Sequence, residues 1–232
     1  MEKTEQKTNK NSAAIGEMFK AGLSFGHKSS KLHPKMKPFT SKVKDGVQLI
    51  DLDITLNKLE EALSFLKEAK KEGKTFLFIG TNPSLRLIIK EVAENAGAFY
   101  VTERWIGGAL TNFSEIKKRL KYFNDLEQKI KSDDFSSKYN KKERLEINRE
   151  FERLKQKFGG IKTMEKLPDV VFITDLSRDD IALREAVDTK RKIVAIVDTN
   201  VDPSMIDYMI PANDDAVSSV KYILDKIAKA IK

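Results

Sequence analysis

The chain has 232 residues, no cysteine, 43 Lys plus Arg against 35 Asp plus Glu, and a formal net charge of +8. Absence of cysteine excludes a disulfide scaffold and thiol chemistry. Recurring apolar blocks exclude full disorder, and apolar runs far shorter than roughly 18 residues exclude a membrane-spanning helix. Met1 to Ser12 is polar, without the apolar stretch of a secretory leader, so the expected address is cytoplasmic. The basic excess favours a polyanionic partner.

Residues 1–46 hold ten Lys and four acids, a local balance of +6. Ile15, Met18 and Phe19 share one face of a short helix predicted from Ser12 to about Ala21. The stretch that follows, GLSFGHKSSKLHPKMKPFTSKVKDG, has no sustained period and reads as ordered loop. Its Lys, Ser, Thr and His side chains all donate to phosphate oxygens, and Pro34 and Pro38 stiffen it. Leu32, Met36 and Phe39 are interleaved, which indicates a segment lying on something rather than a solvated charge run.

From Val47 the texture changes. VQLI is a short apolar run. Asp53 or Thr55 is expected to cap a helix with Leu56, Leu59, Leu63 and Leu66 inward, ended by Gly73. Residues 75–79 read as a buried strand. Gly80 and Asn82-Pro83 turn the chain into a helix burying Leu85, Ile88, Ile89 and Val92, which Gly97 ends, and 98–101 is a further strand. Residues 113–158 carry 14 basic and 9 acidic side chains. Ile116, Leu120, Phe123 and Ile130 form one seam there; Ile147, Phe151, Leu154 and Phe158 form a second. The polar break SDDFSSKYN separates them, which describes a helical hairpin projecting from the body. Beyond Gly159-Gly160 come a strand at 169–174, a helix from Asp179 to Val187 with Ile181, Ala182 and Ala186 inward, and strands at 192–197 and 207–211. Asn213 is placed to cap a last helix that buries Val217, Val220, Leu224, Ile227 and Ile231.

Strands alternating with helices, and apolar throughout, predict a parallel sheet covered on both faces. The expected fold is a doubly wound, flavodoxin-like α/β sheet with an inserted antiparallel α-helical coiled-coil hairpin. The expected organisation is a basic helix and phosphate-contacting loop at 1–46, an α/β body at 47–112 and 159–232, and the hairpin at 113–158.

Enzymatic parts are scarce. No G-x-G-x-x-G or G-x-S-x-G occurs, and Gly73-Lys74-Thr75 lies before a strand, where a phosphate loop follows one. Gly80-Thr81-Asn82 does open a helix after a strand, a place that attracts anions, but a tight turn with an Asn cap accounts for it. Asp175, Asp198, Asp202 and Asp214-Asp215 gather near strand ends. His27, Asp198 and Asp215 are the residue types that hold a divalent ion, although turns and caps use the same acids. Arg104-Trp105-Ile106-Gly107-Gly108 contains the chain's one Trp. It reads as a hinge between sheet and hairpin, with Trp105 plugging the junction and Gly107-Gly108 allowing close backbone approach.

The segments GHKSSKLHPKMKPF, DGVQLIDLDITL, FLFIGT, ERWIGGALTNF, GGIKTMEKLPDVVFITD and AIVDTNVDPSMIDYMIPANDDA, in this order, resemble the bacterial small-subunit ribosomal protein two family. The likeness runs from about Met18 to Ile231. His33 stands where the family usually has Asn, TKRKIV replaces its Leu-Gly-Ile-Pro-Val, and Ser218 stands where an Arg is common. The resemblance implies a structural, non-enzymatic constituent of the small ribosomal subunit, with no required cofactor. It implies binding of ribosomal RNA between head and body, and docking of the messenger-binding ribosomal protein one beside neighbouring subunit proteins. Neither a membrane nor a stand-alone homo-oligomer is expected. Carried over by position, Lys28, Lys31, Lys35, Lys37 and Arg104 are the expected RNA contacts, with Lys117, Lys118, Lys141 and Lys142 secondary. A phosphate- or nucleotide-handling enzyme on the same fold is the rival reading.

Overall fold

Each central strand presents alternate apolar side chains to two separate cores. Phe76, Phe78, Val170, Phe172, Val194, Ile196 and Ile210 enter one core; Leu77, Ile79, Val171, Ile173, Ile193, Ala195 and Val197 enter the other. This is why the strands read as apolar throughout. The computed structural model describes residues 2–231, with side chains from Asn11 onward.

In chain order come α1 (Glu2–Ala21), β1 (Phe25–Lys28), β2 (Thr40–Lys44), β3 (Val47–Ile50), α2 (Leu52–Lys71), β4 (Phe76–Ile79), α3 (Arg86–Asn95), β5 (Phe99–Val101), α4 (Phe113–Lys131), α5 (Phe135–Lys138), α6 (Lys141–Phe158), β6 (Val170–Ile173), α7 (Asp180–Asp188), β7 (Lys192–Val197), β8 (Tyr208–Pro211) and α8 (Val217–Ile231). Strands β5-β4-β6-β7-β8 form a sheet in which every neighbouring pair is parallel. Renumbered within the sheet, the order is 2-1-3-4-5, the doubly wound pattern of flavodoxin-like folds. Helices α1, α2, α3 and α8 cover one face; α4, α6 and α7 cover the other.

Several expectations need correction. The helix expected from Ser12 begins at Glu2. Apolar spacing reveals only the part of a helix that packs, whereas Glu, Lys and Gln extend one by propensity alone. The segment read as loop holds two strands, and with β3 they form an antiparallel sheet in the order β1-β3-β2. The β2–β3 connection is Asp45-Gly46, both at positive φ, and Lys44 pairs with Val47 across it. That is a two-residue type I′ hairpin, for which Asp-Gly is a strong signal. Helix α2 is capped by Asp51, whose Oδ1 accepts from the N–H groups of Asp53 and Ile54. Thr55 turns inward instead, donating to the carbonyls of Asp51 and Pro211. Helix α7 exposes Ile181 and buries Glu185, and Val217 in the first turn of α8 is also exposed.

In the α4–α6 segment, Phe123 and Phe151 meet with ring centroids 5.4 Å apart. Both seams run without a break into the second core, with Ile116, Leu120, Phe123, Leu154 and Phe158 buried. The chain re-enters the body through Gly160, where an added Cβ would lie 2.1 Å from the Tyr100 carbonyl oxygen. Because that neighbour is β5 backbone, it has little room to yield. Gly160→Ala is expected to cost about 2 kcal/mol, read as a lower urea midpoint at unchanged slope; an unmoved midpoint would contradict this packing.

A candidate nucleic-acid interface at the carboxyl edge of the sheet

The basic arm is fastened to the carboxyl end of β7 by Thr199. The Thr199 hydroxyl accepts from the His27 N–H at 2.9 Å, and its carbonyl accepts from the His33 N–H at 2.8 Å. An added Cβ on Gly26 would lie 2.5 Å from the Thr199 methyl, so only glycine permits this approach. Met36 is fully buried in the second core, beneath the arm. Lys35 Nζ binds Asp202 Oδ2 at 2.8 Å and Ser204 Oγ at 2.7 Å. That ammonium holds the Asp202 carboxyl well below the usual carboxylate range.

Lys28, Lys31 and Lys37 lie exposed on the same arm, and none has a carboxylate partner among the described residues. Of the four lysines expected to meet phosphate, three are therefore free on one segment, while Lys35 is tied to the body. Lys42 and Lys44, part of the phosphate-donating segment but not among the expected named contacts, extend this basic surface along the exposed strand β2. The Asp45-Gly46 turn was the signal that would have placed them. On the helical segment, Lys118 pairs with Glu115 at 2.6 Å and Lys117 lies 5.6 Å over the Phe113 ring. Lys141 and Lys142 are exposed on the first turn of α6, whose Asn140 and Glu143 form a capping box.

Beside Thr199 lies an acidic cluster. His27 Nδ1 is 3.1 Å from Asp198 Oδ2, and Nε2 is 3.6 Å from Asp215 Oδ2. Asp215 is exposed; the acid that closes on His27 and Asp198 is Asp214, the three offering ligand atoms within 4.8 Å of one another. Burial, then the neighbouring charges of Asp198, Asp175 and Asp215, raise the Asp214 carboxyl well above the ordinary carboxylate range.

The switch point of the sheet, between β4 and β6, is where folds of this order take ligands. Here a carboxylate of the chain occupies it. Asp179, 2% exposed, accepts from the Thr81 N–H at 3.1 Å and the Thr81 hydroxyl at 2.9 Å. The backbone donor that a phosphate would need after Gly80 is already spent on Asp179.

The ERWIGGALTN segment is organised by Glu185, a residue the sequence reading did not single out. Glu185 Oε1 accepts from Trp105 Nε1 at 2.9 Å and the Gly108 N–H at 2.8 Å. Oε2 accepts from the Leu110 N–H at 2.9 Å and from both the N–H and hydroxyl of Thr111 at 3.2 Å. Burial works to raise this carboxyl; the bonds from Trp105, Leu110, Gly108 and Thr111 outweigh it and hold the group below its ordinary value. Trp105 is buried in the second core, Gly108 has φ +84, and Gly107 is open to solvent. The signal was a position: Glu185 lies three residues after the inward Ala182.

The model of the family described as Ribosomal protein S2 matches residues 18–232. The chain belongs to that family. Small ribosomal subunit protein uS2 of Dictyoglomus thermophilum is 48% identical over 93% of this chain and 87% of its own length. The proteins of the same name from Coprothermobacter proteolyticus and Petrotoga mobilis are 44% and 42% identical, covering 81% and 75% of their lengths. As a member of the ribosomal protein S2 family the chain is a structural ribosomal protein rather than an enzyme. No helix among the described residues is long and apolar enough to cross a membrane.

Glu185 makes a sharp test of this geometry. Glu185→Gln keeps the shape but turns an amide NH₂ toward backbone donors, at an expected cost of about 3 kcal/mol. A carboxyl whose folded value is lowered stabilises fully above its unfolded value and loses that contribution as pH falls through the folded one. The gap between wild type and variant in urea unfolding should therefore be constant from pH 8 to pH 6 and narrow on acidification. A gap independent of pH would refute an ionised Glu185.

Proposed function

We propose that the chain is a structural constituent of the small ribosomal subunit in the cytoplasm, and that its N-terminal arm binds the subunit's RNA. One observation carries the reading: Lys28, Lys31 and Lys37 stand exposed, with no carboxylate partner among the described residues, on a segment locked to the sheet edge by Thr199. Cations on a preformed surface neutralise backbone phosphates and release counterions, so binding follows RNA shape and weakens with salt. Lys35 acts within the arm, holding it to Asp202, and Arg104 adds a contact beside the Glu185 loop. Lys117, Lys118, Lys141 and Lys142 are secondary contacts on α4 and α6, read as an antiparallel coiled-coil hairpin. On this reading the protein sits between head and body of the subunit and helps dock the messenger-binding protein one.

The Ala variant of Lys28, Lys31 and Lys37 together should co-sediment with small subunits less well, and its salt slope for subunit RNA should fall by about 2–3. Lys35→Ala should instead loosen the arm against proteolysis. Wild-type subunit occupancy of the triple variant at moderate salt would overturn the assignment.

The divalent-ion set that the sequence offers at His27, Asp198 and Asp215, beside the turn and cap roles of the same acids, is carried forward with Asp214 in place of Asp215. His27, Asp198 and Asp214 converge, and a cation would relieve the crowded carboxyl groups. Metal analysis of purified protein with and without Asp198→Ala is the check. Bound metal in wild type alone supports the site, and none in either sinks it.

A further inference from the structure

We propose that Glu185 is a positioning residue for RNA contact, aiming Arg104 through the loop it holds. The inference rests on reading Arg104 as an RNA contact. Arg104 is exposed and has no carboxylate partner among the described residues, yet both its neighbours are tied. On one side, Glu103 Oε2 meets Arg86 Nη1 at 2.6 Å. On the other, Trp105 Nε1 donates to Glu185 at 2.9 Å. The guanidinium therefore leaves from a backbone fixed before any ligand arrives, and the entropy of ordering that stretch is spent in folding rather than in binding.

Charge makes the hold specific. Among the described residues no Lys or Arg pairs with Glu185; its two oxygens take five N–H and O–H donors, three from backbone. A neutral side chain of the same shape cannot accept all five, because one of its heteroatoms becomes a donor. The loop's conformation thus depends on a buried anion, while its outer side stays open: a Cβ at Gly107 would meet nothing within 4 Å. A basic side chain is presented outward by an acid beneath the surface, and Ile181 on the same helix is left in solvent while Glu185 points in.

The test uses the full chain, small-subunit ribosomal RNA and a salt series. Arg104→Ala should lower the slope of log affinity against log salt by about one. Glu185→Gln should lower it by about the same amount although every cation is retained, and the double variant should lose no more. Trp105, the chain's one tryptophan, should change its emission in Glu185→Gln. If that variant fails to fold by circular dichroism, Trp105→Phe, which removes a single donor, should shift the slope in the same direction. A folded Glu185→Gln or Trp105→Phe with wild-type affinity and slope overturns the inference, as does additivity in the double variant. An unchanged slope in Arg104→Ala instead overturns the RNA reading of Arg104, and the inference with it.

Discussion

A parallel sheet has no face it can leave in water, and that constraint organises this molecule. Its strands carry apolar side chains on both sides, so each face needs its own layer of helices. One layer comes from α1, α2, α3 and α8. The other has to come from connections between β5 and β7, and α7 alone is nine residues long. Strands β5 and β6 lie on opposite sides of β4, so the chain must cross the sheet between them. Helices α4 and α6 are that crossing. The charged helical segment is therefore not an ornament: its apolar seam completes the second core, and its outer surface carries much of the positive charge.

The same constraint explains where the charge goes. Residues 1–46 contribute +6, residues 113–158 contribute +5, and the remainder of the chain is −3. Acids of the body turn inward: at the sheet's carboxyl edge Asp179 binds Thr81 and Asp198 binds Thr199 beside Asp214, and further along α7 Glu185 binds the Trp105 loop. They are stabilised by N–H and O–H dipoles rather than by lysines. The lysines of the arm remain outside, and Lys35 is the one that spends its charge internally.

Much of this architecture was legible because it follows from burial. Runs such as VVFI and KIVAIV marked β6 and β7 within a residue, and Gly73 and Gly97 marked the ends of α2 and α3 through their positive φ. What escaped were features set by hydrogen bonds. The small antiparallel sheet has an edge strand exposed along most of its length, so β2 lacks the apolar alternation that announces a strand. Helix α7 inverts the usual rule, burying a Glu and exposing an Ile. The loop partners of Glu185 lie 74 to 80 residues away in sequence. Local patterning cannot report a bond that exists only once the chain has folded back.

Thr199, Asn213 and Ser218 also impose an order in time. They fasten His27, Gly22 and Ala21 across 172, 191 and 197 residues of sequence. During synthesis, residues 21–33 leave the exit tunnel long before their partners have been made. The basic arm thus emerges well before the segments that give it its shape. A nascent chain carries the arm's positive charge without its geometry until the carboxyl-terminal third has docked.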